Sequence, residues 1–239
     1  MTYKLNLYIS QSFLKAVLTL GIDDAGRGPV IGPMVLAGCL IDDQVSEEFK
    51  SKGIKDSKQL TKKRRDMLAE IIKTKSETFE IAIVHPTQID GSNYEGINLN
   101  DLEAITAAQI INKMNKGISK IKVVIDCPSP NLGKWKDFLK TKIDNLSNLE
   151  IVCEHKADVN HVSVSAASIL AKTTRDFEIE KIKEKIKENF GSGYTSDPLT
   201  IAFLDKYAHK YKEEGIFRET WSTWKTAIAS KDQKKLGEF

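Results

Sequence analysis

The chain has 239 residues, of which 41% are hydrophobic and 29% are charged, and its formal net charge is +3. These values are typical of a globular protein whose packed core belongs to one large domain. They argue against a membrane protein, because no apolar stretch approaches the roughly 20 residues that cross a bilayer.

Residues 1–16 form an N-terminal extension whose apolar run is interrupted by Gln11, Ser12 and Lys15. No small-residue cleavage site follows the run, so we expect no export signal. The three cysteines, at positions 39, 127 and 153, are odd in number and widely spaced. This usage favours reduced core thiols over a disulfide set and predicts a cytoplasmic protein.

Short segments rich in Val, Ile and Leu predict buried β-strands along most of the chain. In chain order they cover residues 16–23, 33–41, 78–84, 121–126 and 149–155. Amphipathic stretches between them predict helices from Ser57 or Thr61 to Lys75, from Asn98 or Asn100 to Met114, and over 134–143. This alternation predicts an α/β fold.

The remainder of the chain is predicted to be helical. Apolar residues at helical spacing predict one inner face, made of Ala166, Leu170, Thr173, Phe177, Ile182, Ile186 and Phe190. The segment "GSGYTSDP" predicts a loop, after which Asp197 and Pro198 begin a helix that Gly215 closes. The sheet therefore comes first and a C-terminal helical region follows it.

Four carboxylates lie where predicted strands end. Asp23 and Asp24 end the first strand, Asp126 ends the fourth, and Asp158 lies just beyond the fifth. Ligands of α/β sheets gather beyond the carboxyl ends of strands, so these acids are expected to meet. Clustered negative charge is costly unless cations offset it, and Mg²⁺ or Mn²⁺ suits an all-carboxylate set. Two such ions about 3.5–4 Å apart suit phosphodiester hydrolysis.

The adjacent pair divides into two expected roles. Neighbouring side chains on a strand point to opposite faces, so Asp23 is the expected ligand. Asp24 is expected to contribute through its carbonyl or by reaching round the strand end. For any single Asp, a turn or a helix cap is the alternative. The four histidines, at 85, 155, 161 and 209, form no close pair with a cysteine, which argues against zinc.

Glycines follow the acidic pair in "GRGPVIG". The spacing of Gly26, Gly28 and Gly32 is one residue longer than the dinucleotide-binding fingerprint, and the prolines between and after them disfavour an immediate helix. The segment instead predicts a loop that a ligand backbone can approach closely. Its amides can bond a ribose or phosphate, with Arg27 as a charged donor. A plain turn between two strands is the alternative.

A basic block covers residues 50–75, which contain ten Lys or Arg residues against three Asp or Glu residues. Such a block in a nearly neutral chain suggests a polyanion-binding surface. A solvated helix face is the alternative. The block indicates nucleic acid only if another feature of the sequence points to nucleic acid as well.

The segment "GIDDAGRGPVIGPMVLAG" resembles the opening motif of the type 2 ribonucleases H, the ribonuclease HII family. The resemblance continues through "GIKDSKQLT", "VVIDCPSP", "HKADVNHVSVSAASILAKTTRD", "GSGYTSDPLT" and "FRETWSTWK", over residues 17–226. The last two motifs are closer to the archaeal and eukaryotic branch. The resemblance implies a ribonuclease H-like mixed sheet flanked by helices. It places the catalytic domain at 17–190, the helical region at 191–230 and a tail at 231–239.

The resemblance also implies an activity. Members hydrolyse the RNA strand of RNA–DNA hybrids and nick DNA 5′ of embedded ribonucleotides, leaving 3′-hydroxyl and 5′-phosphate ends. Carried over, the catalytic, metal-binding acids are Asp23, Asp24, Asp126 and Asp158. The residues implied to sense the ribose 2′-hydroxyl are Gly26, Arg27 and Gly28, with Tyr194 stacking on the sugar. The implied phosphate contacts are Lys55, Ser57, Lys58 and Lys172.

Two positions depart from the family pattern. The family has Glu where this chain has Asp24, which is one methylene shorter. It also favours Tyr-Pro where this chain has His161 and Val162, close to Asp158. If the Asp24 side chain acts directly, the shortening is expected to change metal preference or rate.

The last seven residues, "QKKLGEF", place Gln233, Leu236 and Phe239 in the pattern Q-x-x-hydrophobic-x-x-aromatic. This pattern resembles the peptide with which replication and repair proteins bind the sliding clamp PCNA. One helical turn puts Leu236 and Phe239 on one side as anchors. A frayed terminus is the alternative.

We therefore expect a metal-dependent endoribonuclease acting on RNA–DNA hybrids and ribonucleotide-containing duplex DNA. Another carboxylate nuclease of the same fold is one alternative, and a non-catalytic duplex-binding accessory protein is the other.

Overall fold

A computed structural model describes residues 17–54 and 60–236, the side chains of residues 230–236 excepted. The strands are β1 (Leu18–Ala25), β2 (Met34–Ile41), β3 (Thr78–Val84), β4 (Ile121–Asp126) and β5 (Leu149–Glu154). They form one sheet in the order β3-β2-β1-β4-β5. β1 pairs with β2 in antiparallel fashion and with β4 in parallel fashion, so the sheet is mixed and β1 is central.

The helices are α1 (Asp43–Ser51), α2 (Lys62–Lys75), α3 (Pro86–Tyr94), α4 (Leu99–Met114), α5 (Leu132–Lys140), α6 (Ala157–Asn160), α7 (Val162–Ile186), α8 (Pro198–Tyr207) and α9 (Ser222–Leu236). The caps follow the sequence signals. The Thr61 side chain accepts a hydrogen bond from the Arg64 amide, and the Asn98 side chain accepts one from the Asp101 amide. Each bond satisfies a donor that a helix leaves open at its first turn.

Helices cover both faces of the sheet. α4 and α5 bury one face around Leu20 and Val123, whereas α2 and α7 bury the other around Val35 and Leu170. Val, Ile and Leu dominate the strands because both faces are buried. The predicted α/β fold with helices after the sheet is confirmed.

Gly21 explains how closely α7 approaches the central strand. A Cβ atom at this position would lie 2.1 Å from the backbone carbonyl carbon of Ser163. Only a glycine permits this contact, which brings the first turn of α7 directly onto β1. The polar residues of that turn therefore lie beside the carboxyl end of β1.

A third apolar cluster joins the end of α7 to α8 and α9. It packs Phe190, Phe203, Phe217 and Trp224, and the rings of Phe217 and Trp224 stack with centroids 4.2 Å apart. Residues 30 and 31 also belong to this cluster, so the helical region packs against the loop that follows β1.

Part of the predicted helical pattern is wrong. Phe177 is 60% exposed, with the Lys181 ammonium 4.5 Å from its ring centroid, and Thr173 is only half-buried. In their place the inward side of α7 carries Arg175 and Ile179, since the buried positions here are 171, 175, 179 and 186, with Ile182 partly buried. The sequence pattern missed this buried face because Arg175 is charged and was therefore not expected to be buried.

Two further features differ from the prediction, the end of α8 and the presence of two additional helices. α8 ends at Tyr207, and the chain then turns through a short 3₁₀ segment, Lys212–Glu214, before Gly215 closes it at φ +66°. α1 and α3 were not predicted. Among the described residues, no helix is long and apolar enough to cross a membrane.

Candidate active site

Three of the four predicted acids converge at one end of the sheet. Asp23 is on β1 and Asp126 ends the neighbouring parallel strand β4, where Ile22 is level with Ile125. Asp158 is buried on the single-turn helix α6, which follows β5. Carboxylate oxygen atoms of Asp23, Asp126 and Asp158 all lie within 4.8 Å of one another.

Hydrogen bonds from α6 and α7 hold these acids in place. The Ala157 amide donates to an oxygen of Asp126 at 3.2 Å, and the Ser165 hydroxyl donates to the backbone carbonyl of Asp158. A hydrogen bond from the Ser168 side chain lowers the pKa of Asp23, against larger effects that raise it. Sequence reasoning missed both serines, although their spacing of three residues places them on one helix face.

Asp24 lies outside this group. It is half-buried, its amide donates to an Asp23 carboxylate oxygen at 2.8 Å, and its side chain lines the adjoining cavity. The alternation of side chains along β1 accounts for this separation.

The clustered acids are electrostatically strained without cations. Burial, with the charge of Asp24, raises the pKa of Asp23 well above its ordinary value. Burial also raises the pKa of Asp24 to about 6, with Arg27 opposing the rise and Asp126 adding to it. These raised pKa values mean that the carboxylates do not ionise easily without a nearby positive charge. A divalent cation that prefers oxygen ligands fits such a set, because it would offset the repulsion among the carboxylates.

A cavity of about 510 Å³ opens beside the acids. Its walls include Gly26, Arg27, Gly28, Lys172 and Tyr194. A Cβ atom at Gly28 would lie 3.8 Å from a ring carbon of Tyr194. The aromatic ring therefore faces the loop of residues 26–32, here called the glycine loop. The predicted sugar-binding residues therefore share one cavity with Asp24.

The loop that carries Tyr194 is tied down at two points. The amides of Val30 and Ile31 donate to the Gly193 carbonyl at 2.9 and 3.3 Å. The Asp197 carboxylate accepts from the Ser192 amide and hydroxyl at 2.7 and 2.8 Å, and these bonds lower the pKa of Asp197. The Arg175 guanidinium lies 4.9 Å from the centroid of the Tyr194 ring. Tyr194 is thereby fixed opposite the glycine loop.

Arg27 turns toward α4. Its Nε donates to the Glu103 carboxylate at 2.9 Å, and one terminal nitrogen donates to the Asn100 side chain. Burial, with the charge of Asp24, raises the pKa of Glu103 well above its ordinary value, whereas Arg27 opposes the rise. Sequence reasoning considered Asn100 only as a helix cap and gave Glu103 no role in the site. The expected charged donor is thus partly engaged within the protein.

Arg218, also missed, lies behind the glycine loop with 0% of its surface exposed. Burial, with the Arg175 guanidinium nearby, lowers its pKa to about 9, so it keeps its charge at neutral pH. A fully buried arginine is uncommon and needs several hydrogen-bond acceptors around it.

For six other predicted site residues, the structure gives no side-chain position. Lys55, Ser57 and Lys58 are outside the described residues, as is Phe239. Gln233 and Leu236 are in the last turn of α9, but their side chains are outside the description.

His161, near Asp158 in sequence, turns toward β5. Its Nε2 lies 2.9 Å from a carboxylate oxygen of Glu154. This contact gives the histidine a partner on the neighbouring strand.

Comparisons with known proteins identify relatives of this chain. The family model of ribonuclease HII matches residues 20–224. The ribonuclease HII of Methanocaldococcus jannaschii is 40% identical over 230 residues, which cover 92% of this chain and 99% of that protein.

Two solved structures are similar over most of the chain. The ribonuclease H2 of Pyrococcus horikoshii is 37% identical with a TM-score of 0.79, covering 88% of this chain and 97% of that one. A ribonuclease HII of Archaeoglobus fulgidus, solved in complex with PCNA, is 34% identical with a TM-score of 0.75, covering 86% of this chain and 96% of that one. This chain belongs to the ribonuclease HII family of nucleases.

Proposed function

We propose that the chain is an endoribonuclease that hydrolyses the RNA strand of RNA–DNA hybrids and nicks DNA 5′ of embedded ribonucleotides. Its products carry 3′-hydroxyl and 5′-phosphate ends. One observation supports this most directly: Asp24, which follows Asp23 of the three-acid cluster on β1, lines a cavity walled by the Gly26–Gly28 loop and Tyr194. A cluster for phosphate chemistry thus lies beside a wall suited to a sugar.

In this proposal Asp23, Asp126 and Asp158 hold Mg²⁺ or Mn²⁺. When bound, two such ions lower the pKa of the attacking water and offset charge on the leaving 3′ oxygen. Asp24, at the cavity wall, adds negative charge that strengthens cation binding. Ser165 and Ser168 keep the acids oriented, so that little reorganisation is needed when the substrate enters.

The remaining residues bind and select the substrate. The amides of the Gly26–Gly28 loop donate to the ribose 2′ oxygen, and the Tyr194 ring packs against the sugar. Lys172 contacts a phosphate, together with Lys55, Ser57 and Lys58 outside the described residues. Such phosphate contacts position a duplex without reading its sequence.

A duplex with one embedded ribonucleotide tests the proposal, with the all-DNA duplex as control and with Mg²⁺ or Mn²⁺ added. We expect one internal nick, 5′ of the ribonucleotide, and an intact control duplex. Products shortened stepwise from an end would favour another carboxylate nuclease. Binding without cleavage in either metal would favour an accessory protein.

The tail supports a second role, binding to a sliding clamp. Gln233 and Leu236 of the motif are in the last turn of α9, Phe239 lies outside the described residues, and the similar Archaeoglobus fulgidus protein was solved with PCNA. Deleting residues 233–239 is expected to abolish clamp binding in a titration while hydrolysis of a free duplex is kept. Lys234→Gln, which retains all three motif residues, is the control. Clamp binding that survives the deletion would refute this role.

A further inference from the structure

One buried side chain holds several carbonyl groups of the glycine loop. Arg218 donates from Nη1 to the Arg27 carbonyl at 2.7 Å and from Nη2 to the Gly26 carbonyl at 2.5 Å. Its Nε and Nη2 also donate to the Gly32 carbonyl at 3.1 and 3.0 Å. A single guanidinium therefore fixes both ends of the loop, and its planar geometry fixes their relative orientation.

Arg218 is itself rigidly mounted. Its amide donates to the Val30 carbonyl at 2.9 Å, and residues 31 and 217 form an antiparallel bridge. The carboxylate of Asp90, on α3, accepts from the amides of Glu219 and Thr220 at 2.8 and 2.9 Å. The segment is thus anchored on both sides of Arg218.

The held carbonyls determine where the loop amides point. In a trans peptide unit the C=O and the N–H of the next residue point in opposite directions, and the peptide bonds here are trans. The Gly26 carbonyl shares its unit with the Arg27 amide, and the Arg27 carbonyl shares its unit with the Gly28 amide. Two carbonyls directed at Arg218 therefore direct these two amides away from it.

Both amides remain available to a ligand. Within residues 17–54 and 60–236, neither the Arg27 amide nor the Gly28 amide donates a hydrogen bond to a protein group. Both residues line the cavity beside the acids. An N–H without a protein acceptor at the wall of a cavity is a ready donor for a hydroxyl oxygen.

We propose that Arg218 is a positioning residue that aims the amides of Arg27 and Gly28 at the ribose 2′ oxygen. It thereby sets how strongly the protein prefers ribose to deoxyribose. This inference rests on the proposed function. It assigns to the C-terminal segment a part in selectivity, although Arg218 is separated from the substrate by the loop.

The test measures binding to two duplexes that differ by one hydroxyl, one with a single ribonucleotide and one all-DNA. The background is Asp126→Asn, so that neither duplex is cut. The ratio that measures preference is the Kd for the all-DNA duplex divided by the Kd for the duplex with one ribonucleotide. Arg218→Met is expected to lower this ratio by about 10-fold, because at least one hydrogen bond to the hydroxyl is lost. Arg218→Lys, which can hold fewer carbonyls, is expected to fall between Met and Arg.

The control is Tyr211→Phe, which removes the buried bond from the Tyr211 hydroxyl to the Ile186 carbonyl in the same apolar cluster. This variant is expected to lose stability and to keep the ratio. An unchanged ratio in the folded Arg218 variants would overturn the inference. Equal Kd values for the two duplexes in the Asp126→Asn parent would also overturn the inference. The proposed function is tested separately, by nicking of the ribonucleotide-containing duplex with the wild-type protein.

If the Arg218 variants do not fold, Asp90→Asn decides. The Asp90 carboxylate accepts from the amides of Glu219 and Thr220 at 2.8 and 2.9 Å, and a side-chain amide has only one oxygen with which to accept these two bonds. The variant therefore loosens the segment that mounts Arg218 and keeps Arg218 itself. The ratio is expected to fall by about 2-fold to 3-fold, as for one weak hydrogen bond, and an unchanged ratio would overturn the inference.

Discussion

Asp126 is an acid of the cluster whose charge can be removed with little change of shape. Its carboxylate belongs to the three-acid cluster and accepts a hydrogen bond from the Ala157 amide, which an Asn oxygen can still accept. Asp126→Asn is therefore expected to abolish cleavage, because the cation site loses a charged ligand, while duplex binding is kept. Gel-based cleavage and a binding titration measure the two effects. Asp205→Asn, at an exposed carboxylate of α8, is the control. Substantial cleavage by the Asp126 variant would contradict a role in metal binding.

The acids that lie at strand ends could be predicted, whereas their partners could not. Asp23, Asp126 and Asp158 follow from the rule that ligands gather where strands end. Glu103 and Arg218 are single polar residues inside helical or irregular segments, and nothing local marks them. They act on residues 76 and 191 positions away in sequence, which only the folded chain brings near.

At the scale of elements, the glycine loop depends on a left-handed backbone conformation at Gly26, which residues with a Cβ atom rarely adopt. Gly26 has φ +80°, and a Cβ atom there would lie 2.4 Å from Arg175 Nε and 2.7 Å from the Pro33 carbonyl oxygen. Gly26→Ala is expected to lower the free energy of unfolding by about 2–4 kcal/mol, since a left-handed backbone costs roughly 1–2 kcal/mol and the clash adds to it. Urea unfolding measures the loss.

Gly96 offers a matched control for that change. It has the same φ, +80°, but a Cβ atom there would meet nothing within 4 Å. Gly96→Ala is expected to lose only about 1–2 kcal/mol, from the backbone alone. Equal losses at the two positions would show that the close approach of Arg175 and Pro33 does not constrain the loop.

Elements differed in how well the sequence predicted them, for physical reasons. β3 and β4 match their predicted bounds, because both are apolar runs that end at polar residues. α3 was missed because it begins at a proline and contains a glycine, which locally favour a turn. The inner face of α7 was misassigned because Arg175 occupies a buried position and Phe177 an exposed one.

At the scale of the whole molecule, the site joins segments from across the chain. β1 and β4 supply two acids, α6 supplies the third, and residues 193–218 hold the loop that walls the cavity. The C-terminal helical region therefore does more than enlarge the core. Its packing on residues 30 and 31 couples folding of the region to the shape of the cavity.

The burial of the acids, together with their mutual repulsion, gives the stability of the whole protein a dependence on pH. Burial raises the pKa of Asp24 from 3.8 to about 6, so between these values the folded state binds more protons than the unfolded state. Stability contributed by this group is present at low pH and is lost as pH rises toward 6 and above. Asn is uncharged, as the protonated acid is, so a protein with Asn at this position does not lose this stability as pH rises.

Asp24→Asn is therefore expected to match the wild type in Tm near pH 4 and to exceed it near pH 7.5, both without divalent ions. The half-buried position limits the gain to about 2 kcal/mol, or about 4–8 °C for a chain of this size. Added Mn²⁺ should raise the wild-type Tm more at the higher pH, because cations bind ionised carboxylates. Calorimetry at the two pH values measures both effects. A Tm difference that stays constant with pH would mean that the pKa of Asp24 is the same in the folded and unfolded states, and that the folded protein does not impose the burial and repulsion from which cation binding was inferred.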